Sequence, residues 1–242
     1  MNFSNLIKII LIVFLSQFAK AEVTIDVDHA NPPFMYLSGG KAKGIYPALI
    51  SAAFNKIGEP VVINALPWSR AIEDIDSAQT GIGGIYKNSE RLKKYDYSEQ
   101  IYVDRLLVYY NKSKIVSFNS VDDLKGMEVG VLRGWSYGDA FDTALKSGDI
   151  KVSEVTSDKQ NFKKLNAGRL DAVIAIEVAG SILMREYPNI AVSATPIAEN
   201  PTYLAFSKKA NMTALLDKFN KAITSLRESG EFDKIVQKEL TN

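Results

Sequence analysis

The chain has no cysteine, a single histidine and almost no charge excess, and each shortage closes off a class of function. Without cysteine there is no disulfide framework, no thiolate nucleophile and no cysteine-ligated metal. A bacterial lipoprotein needs a cysteine just after its leader, so lipid anchoring is excluded as well. The lone His29 offers no metal-ligand cluster and is read as a surface or capping residue. It also leaves no Ser-His or Cys-His arrangement of the usual kind unless His29 itself serves. The 29 basic and 28 acidic residues nearly cancel, which gives no electrostatic footprint for nucleic acid or an anionic membrane. No apolar run approaches the roughly 20 residues that a bilayer-spanning helix needs. There is no internal repeat and no low-complexity tract, and no cofactor or metal is expected.

What is present begins with a leader. Lys8 precedes the apolar run Ile9 to Leu15, and Ala19-Lys20-Ala21 forms a small-x-small cleavage signature before Glu22. Residues 1–21 therefore read as a secretory signal peptide rather than a membrane anchor, which places the mature protein in the periplasm with no stable membrane insertion. Losing Lys8 and Lys20 leaves a net charge of about −1 on ordinary globular composition. The length suits one domain or two small lobes.

From Glu22 onward, strands and helices alternate. Val23 to Val27 is a short alternating strand running into the turn Asn31-Pro32-Pro33. A helix near Pro47 carries Leu49, Ile50, Ala53, Phe54 and Ile57 at helical spacing and ends at Gly58. Val61 to Ile63 is a buried strand, and Pro67 opens a helix bearing Trp68, Ala71, Ile72 and Ile75. Strand, crossover helix, strand implies a parallel sheet covered by helices, an α/β fold. The pattern then resets. Leu106 to Tyr110 reads as a strand leaving the first sheet, and Ser120 with Asp123 as a capping box. Glu128 to Leu132 and Leu170 to Ile176 read as strands of a second unit, and Tyr203 to Phe206 as a strand that returns to the first. Two amphipathic helices, Met212 to Leu226 and Glu231 to Leu240, close the chain. The expected division is lobe 1 at 22–108 and 203–242, and lobe 2 at 109–202, with two crossing segments as a hinge and a ligand cleft between the lobes.

Six segments in this order carry a family resemblance. They are Asn31-Pro-Pro-Phe34 with Gly44-Ile-Tyr-Pro-Ala-Leu-Ile50; Asn88-Ser-Glu-Arg91 with Tyr95-Asp-Tyr-Ser-Glu99; Val121-Asp-Asp-Leu-Lys-Gly126; Val129-Gly-Val-Leu-Arg-Gly134; Gly168-Arg-Leu-Asp-Ala172; and Leu226-Arg-Glu-Ser-Gly-Glu-Phe232. Together they resemble the family 3 extracellular solute-binding proteins, which serve polar amino-acid importers. The resemblance covers essentially the whole mature chain. It implies a two-lobed periplasmic binding protein of type II, a monomer that captures a small carboxylate solute and delivers it to an ABC-type membrane permease.

The resemblance also points to residues. It gives Arg91 the role of gripping the ligand carboxylate, and a planar guanidinium suits that task by pairing bidentately. Trp135 and Ser136 fall where the second lobe presents backbone N–H groups at a helix start, where anions bind; Ser136 can also be a simple cap. Gly83, Gly84 and Tyr86 lie on the strand end that usually supplies backbone and hydroxyl contacts, with glycines in place of the commoner serines. Trp68 either stacks on the ligand or packs helix against sheet. Asn31 stands where an aromatic residue is common. The chief departure is Ile176, where amino-acid binders of the family carry the aspartate that pairs with the α-ammonium. Glu177, one residue on, faces the other way on a strand end; if a helix starts there, it either reaches the cleft or serves the helix dipole. Two further readings stay open on this scaffold: an enzyme similar to cyclohexadienyl dehydratase, with Glu177 as general acid, and a ligand-sensing partner of a membrane receptor.

Overall fold

The computed structural model describes residues 22–114 and 118–241; the expected leader at 1–21 lies outside the described residues. The chain opens with β1 (Val23–Asp28) and a small antiparallel sheet of β2 (Ala30–Asn31), β3 (Met35–Ser38) and β4 (Lys41–Lys43). That sheet has no counterpart in the sequence reading, which saw only the Pro-Pro turn. α1 (Ile45–Ile57) follows, with Pro47 in its first turn, where a missing N–H costs nothing. Its first two N–H groups instead find the carbonyls of Pro33 and Phe34, at 3.1 and 2.9 Å. The approach needs Gly44: its φ is 109°, and a Cβ there would fall 2.6 Å from both of those oxygens.

Next come β5 (Val61–Leu66), α2 (Trp68–Asp76), β6 (Gly81–Tyr86), α3 (Arg91–Lys94) and β7 (Tyr95–Tyr97). β1 lies between β5 and β6 and is parallel to both. The long strand β8 (Tyr102–Asn111) then leaves this half. The second half repeats the scheme. A short turn of 3-10 helix, Val121–Leu124, carries the Ser120/Asp123 capping box anticipated from the sequence. β9 (Glu128–Leu132), α4 (Asp139–Lys146), β10 (Lys151–Val155), α5 (Asp158–Asn166), β11 (Ala172–Ile176), α6 (Glu177–Met184) and β12 (Ile190–Val192) follow. β11 is buried along its whole length, as its unbroken apolar run predicts for a central strand. A second long strand, β13 (Ala198–Ser207), returns the chain to the first half. There α7 (Thr213–Glu228) and α8 (Glu231–Thr241) pack on α1, with Phe54 against Phe219.

All this builds one ten-stranded sheet that runs through both halves. β8 and β13 each have ten residues and play two parts. β13 pairs with β6 through 202–205, and β8 pairs with β11 through 106–110. Between those stretches they pair antiparallel with each other, Tyr102 to Leu106 against Thr202 to Ala198. One core cluster spans the two halves; a second, around Phe162, Leu165 and Val173, lies under α5 and α6. α6 seats closely because Gly180 meets the Tyr109 ring, where a Cβ would clash.

The crossing carries one buried charge. Asp104 is 1% exposed, faces Asn200 in the ladder, and accepts hydrogen bonds from the Tyr46 and Tyr86 hydroxyls, each at 2.6 Å. Burial pushes its carboxyl up to about 7, against the pull of the two phenols. The unfolded chain loses this proton near pH 4, but the folded chain holds it until about 7. Stability contributed by this group therefore falls as pH rises through that window, by roughly 1.4 kcal/mol per unit. Thermal melts from pH 4 to 8 should show this slope in the parent protein and a flatter one in Asp104→Asn. Parallel profiles for the two proteins would contradict it.

Candidate functional site

The C-terminal ends of β1 and β6 and the start of α2 bring Asp28, Tyr86 and Trp68 to one edge of the first half. The loop between β9 and α4 brings Gly134, Trp135 and Ser136 against them from the second half. Trp135 sits centrally. Its indole Nε1 donates to Asp28 Oδ2 at 3.0 Å, and its ring lies 5.7 Å from Trp68 and edge-on to Tyr86 at 6.1 Å. Trp68 Nε1 in turn donates to the Gly134 carbonyl at 3.1 Å. The two tryptophans thus cross the boundary in opposite directions.

Arg91 opens α3 and is half-buried. Its guanidinium donates to the Tyr86 carbonyl at 3.1 Å and, across the boundary, to the Gly134 carbonyl at 3.3 Å. Among the described residues it forms no salt bridge. Burial lowers its pKa, yet an arginine stays charged. A partly buried guanidinium whose hydrogen bonds go only to neutral carbonyls, with the charge of Asp142 acting on it from nearby, retains donors for a further anion.

Beside it, Asn88 works as a staple. Its Oδ1 accepts from the Arg91 N–H at 2.8 Å, while its Nδ2 donates to Ser136 Oγ at 3.0 Å and to Asp142 Oδ2 at 3.2 Å. Ser136 Oγ donates to Asp142 Oδ2 at 2.5 Å, and the Tyr137 N–H donates to Asp142 Oδ1. Ser89 adds two bonds to Asp139. The N-terminus of α4 is therefore already faced by the carboxylates of Asp139 and Asp142, both in its first turn.

Asp28 is 3% exposed and accepts from the Ala30 N–H at 3.1 Å as well as from Trp135. Burial raises its pKa, and the Trp135, Ala30 and His29 contacts oppose the rise. His29 is half-exposed, with Nδ1 3.2 Å from Asp28 Oδ1. These residues, with Trp68, Trp135 and Thr156, line a cavity of about 120 Å³. Arg133 and Thr156 are shared with an open depression of about 590 Å³ that carries Lys163, Lys164 and Arg169.

Of the residues singled out from sequence, Arg91, Trp68, Trp135, Ser136 and Tyr86 meet here. Tyr86 contributes its carbonyl and ring edge, since its hydroxyl is held by Asp104. Gly83 and Gly84 face inward: Ile50 and Tyr46 fill the space that their side chains would need. Asn31 is 2% exposed, and neither side-chain polar atom has a hydrogen-bond partner. Ile176 is buried on β11 opposite Leu106. Glu177 does start a helix, but its carboxylate is paired with Arg105 at 2.7 Å. Sequence reasoning missed Asp28, Asn88, Asp139 and Asp142. Their one signal was position, at a strand end, at the head of the Arg91 motif, and three residues apart in a helix's first turn.

Residues 23–242 match the family described as bacterial extracellular solute-binding proteins, family 3. An arginine-binding extracellular protein, ArtP of Bacillus subtilis (strain 168), is 23% identical over 93% of this chain and 89% of its own length. The crystal structure of the substrate-binding protein of an amino acid ABC transporter superposes with a TM-score of 0.74 at 24% identity, covering 91% of this chain and 99% of that one. A histidine kinase sensor domain with similarity to periplasmic binding proteins reaches 0.79 at 21% identity over 91% and 96%. The fold is that of the two-lobed, type II binding proteins.

Trp135→Phe keeps the ring contacts but removes the N–H donated to buried Asp28, a bond worth about 1.5–3 kcal/mol if the carboxylate is charged. Hydrogen exchange at 88–91 and 134–138 should quicken in this variant, because the boundary opens more often. Unchanged exchange in both segments would show that the indole bond does not hold the boundary.

Proposed function

The chain belongs to the bacterial extracellular solute-binding proteins, family 3, and we propose that it captures a small carboxylate-bearing, amino-acid-like solute in the periplasm for an ABC importer. The observation that carries this reading is Arg91, a partly buried cation at the lobe boundary whose only hydrogen-bond acceptors among the described residues are two carbonyls. A carboxylate entering between Arg91 and the 134–136 loop meets the guanidinium and completes its pairing. The basic side chains around the adjoining depression favour the approach of an anion. Similarity to an arginine-binding protein and to an amino acid ABC transporter component supports both the solute class and the permease partner. No helix among the described residues is long and apolar enough to cross a membrane, in keeping with a protein that hands its solute to a separate permease.

In this reading the lobes are 22–108 with 203–242, and 109–202, turning about the paired run 102–106 and 198–202. Ile176 places an apolar wall where a relative with aspartate would hold an α-ammonium, so the cation of an amino-acid-like solute lies elsewhere in the cleft.

Arg91→Ala should weaken solute binding by about 2–5 kcal/mol in calorimetry while leaving the circular dichroism unchanged. Arg91→Lys should recover part of that loss, since the charge returns without the fork. Near-normal affinity in the alanine variant refutes the carboxylate assignment. Scattering should also report a smaller radius of gyration when a binding solute is added; curves that superimpose would count against closure about the paired strands.

A further inference from the structure

The crossing strands hold a buried acid that the binding reading leaves unused. Asp104 is 1% exposed where β8 and β13 pair, and the groups packed against it come from α1, β6, β13 and its own strand. Tyr46 of α1 and Tyr86 of β6 donate their hydroxyls to it, and the charge of Asp104 also reaches Tyr102, two residues back on β8. Opposite it in the ladder stands Asn200, whose Nδ2 is buried with no hydrogen-bond partner. Among the described residues Asp104 forms no salt bridge; its hydrogen bonds come from the two phenols.

Part of the cover over this acid comes from the second half. Gly138 ends the loop that carries Trp135 and lies against Asn200, where a Cβ on it would meet Asn200 Oδ1 at 3.8 Å. Tyr86 makes the other connection. Its hydroxyl is on Asp104, its carbonyl accepts from Arg91, and its ring meets Trp135 edge-on. Parting of the halves would lift the 134–138 loop from the crossing and let water toward it. A carboxyl buried without a cation keeps its proton, and the same carboxyl beside water gives it up more readily. A shut and a parted boundary that differ in this way couple closure to proton binding.

We propose that Asp104 is a proton-operated latch on the boundary: protonated, it keeps the 134–138 loop shut over Arg91, and ionised, it favours the parted form. It is a positioning residue, acting on Arg91 and Trp135 through Tyr86 and on the loop through Asn200. This rests on the reading that the halves turn about the crossing, and not on which solute Arg91 holds. In the shut form burial carries the carboxyl up to about 7, while water at the crossing draws it back toward the ordinary 3.8. Between those values the shut form holds a proton that the parted form has lost. Raising the pH through that window shifts the population toward the parted form, by at most about tenfold per unit, and the shift ends above about 7.

The protein's two tryptophans, Trp68 and Trp135, both sit at the boundary, so intrinsic emission reads it directly. The experiment follows emission and radius of gyration of the solute-free protein from pH 4 to 8. In the parent, emission should move to the red and the radius should grow as pH rises, levelling off above about 7. Asp104→Asn, isosteric with the protonated acid, should hold the acid-form values throughout. Tyr46→Phe removes one phenol that favours the carboxylate, so its curve should level off at a higher pH. That variant keeps the proposal open to refutation if Asp104→Asn fails to fold, because an unmoved curve would overturn it. Asp28 and His29 beside the rings, and Asp158, which the charge of Asp28 reaches, are the other ionisable groups here. A pH response that survives unaltered in Asp104→Asn belongs to them and overturns the latch. Flat parent curves overturn it as well: shrinkage on adding L-arginine would then keep the turning of the halves and lose only the latch, and no shrinkage would lose both.

Discussion

The paired run of Tyr102–Leu106 and Ala198–Thr202 is the constraint on which the boundary depends. Through it one sheet serves both lobes, and beneath it sits the carboxyl of Asp104 between the Tyr46 and Tyr86 hydroxyls. Tyr86 ties this crossing to the site, since its hydroxyl anchors to Asp104, its carbonyl receives Arg91, and its ring meets Trp135. A change of charge or shape at Asp104 therefore reaches the arginine through one side chain. The inward-facing glycines of β6 have the same logic: Ile50 and Tyr46 come close enough to the strand to hold Tyr86 where it is.

The boundary contacts divide into two kinds. Those made by Trp68, Asn88, Ser89 and Arg91 to the 134–142 segment are hydrogen bonds between lobes, and a solute carboxylate would share or replace some of them. Those made by Trp135 are of mixed character, a polar tip on Asp28 and an apolar body against two rings. One side chain thus lies between buried Asp28 and the Trp68 and Tyr86 rings.

Much of the fold was legible because periodicity reports burial. The alternation in β1, the unbroken apolar run of β11 and the 3.6-residue spacing of α1 and α7 each lead to one face or one layer. The β2–β4 sheet was not legible, since its strands are too short to show a period. Within the site, Arg91 stood out through its motif, Trp135 through its place at the start of the second half's first long helix, and Trp68 as a ring able to stack. Asp28, Asp158 and Asp104 did not. An acid at a strand end or helix start resembles a solvated charge, and only the packing of a distant segment over it makes it a buried one. Asp28 is covered by Trp135, 107 residues away in sequence, and no local pattern encodes that.

A hinge made of paired strands behaves unlike one made of loops. A ladder of backbone hydrogen bonds permits torsion and gentle bending but resists sliding, because a slip of one residue would turn every side chain to the opposite face. With Asp104 fixed opposite Asn200, the two halves are free to twist or bend about the ladder but not to slide along it. If the halves close as proposed, each stroke would deliver the 134–136 loop to the same place over Arg91, and the ladder's register would set the accuracy of that approach.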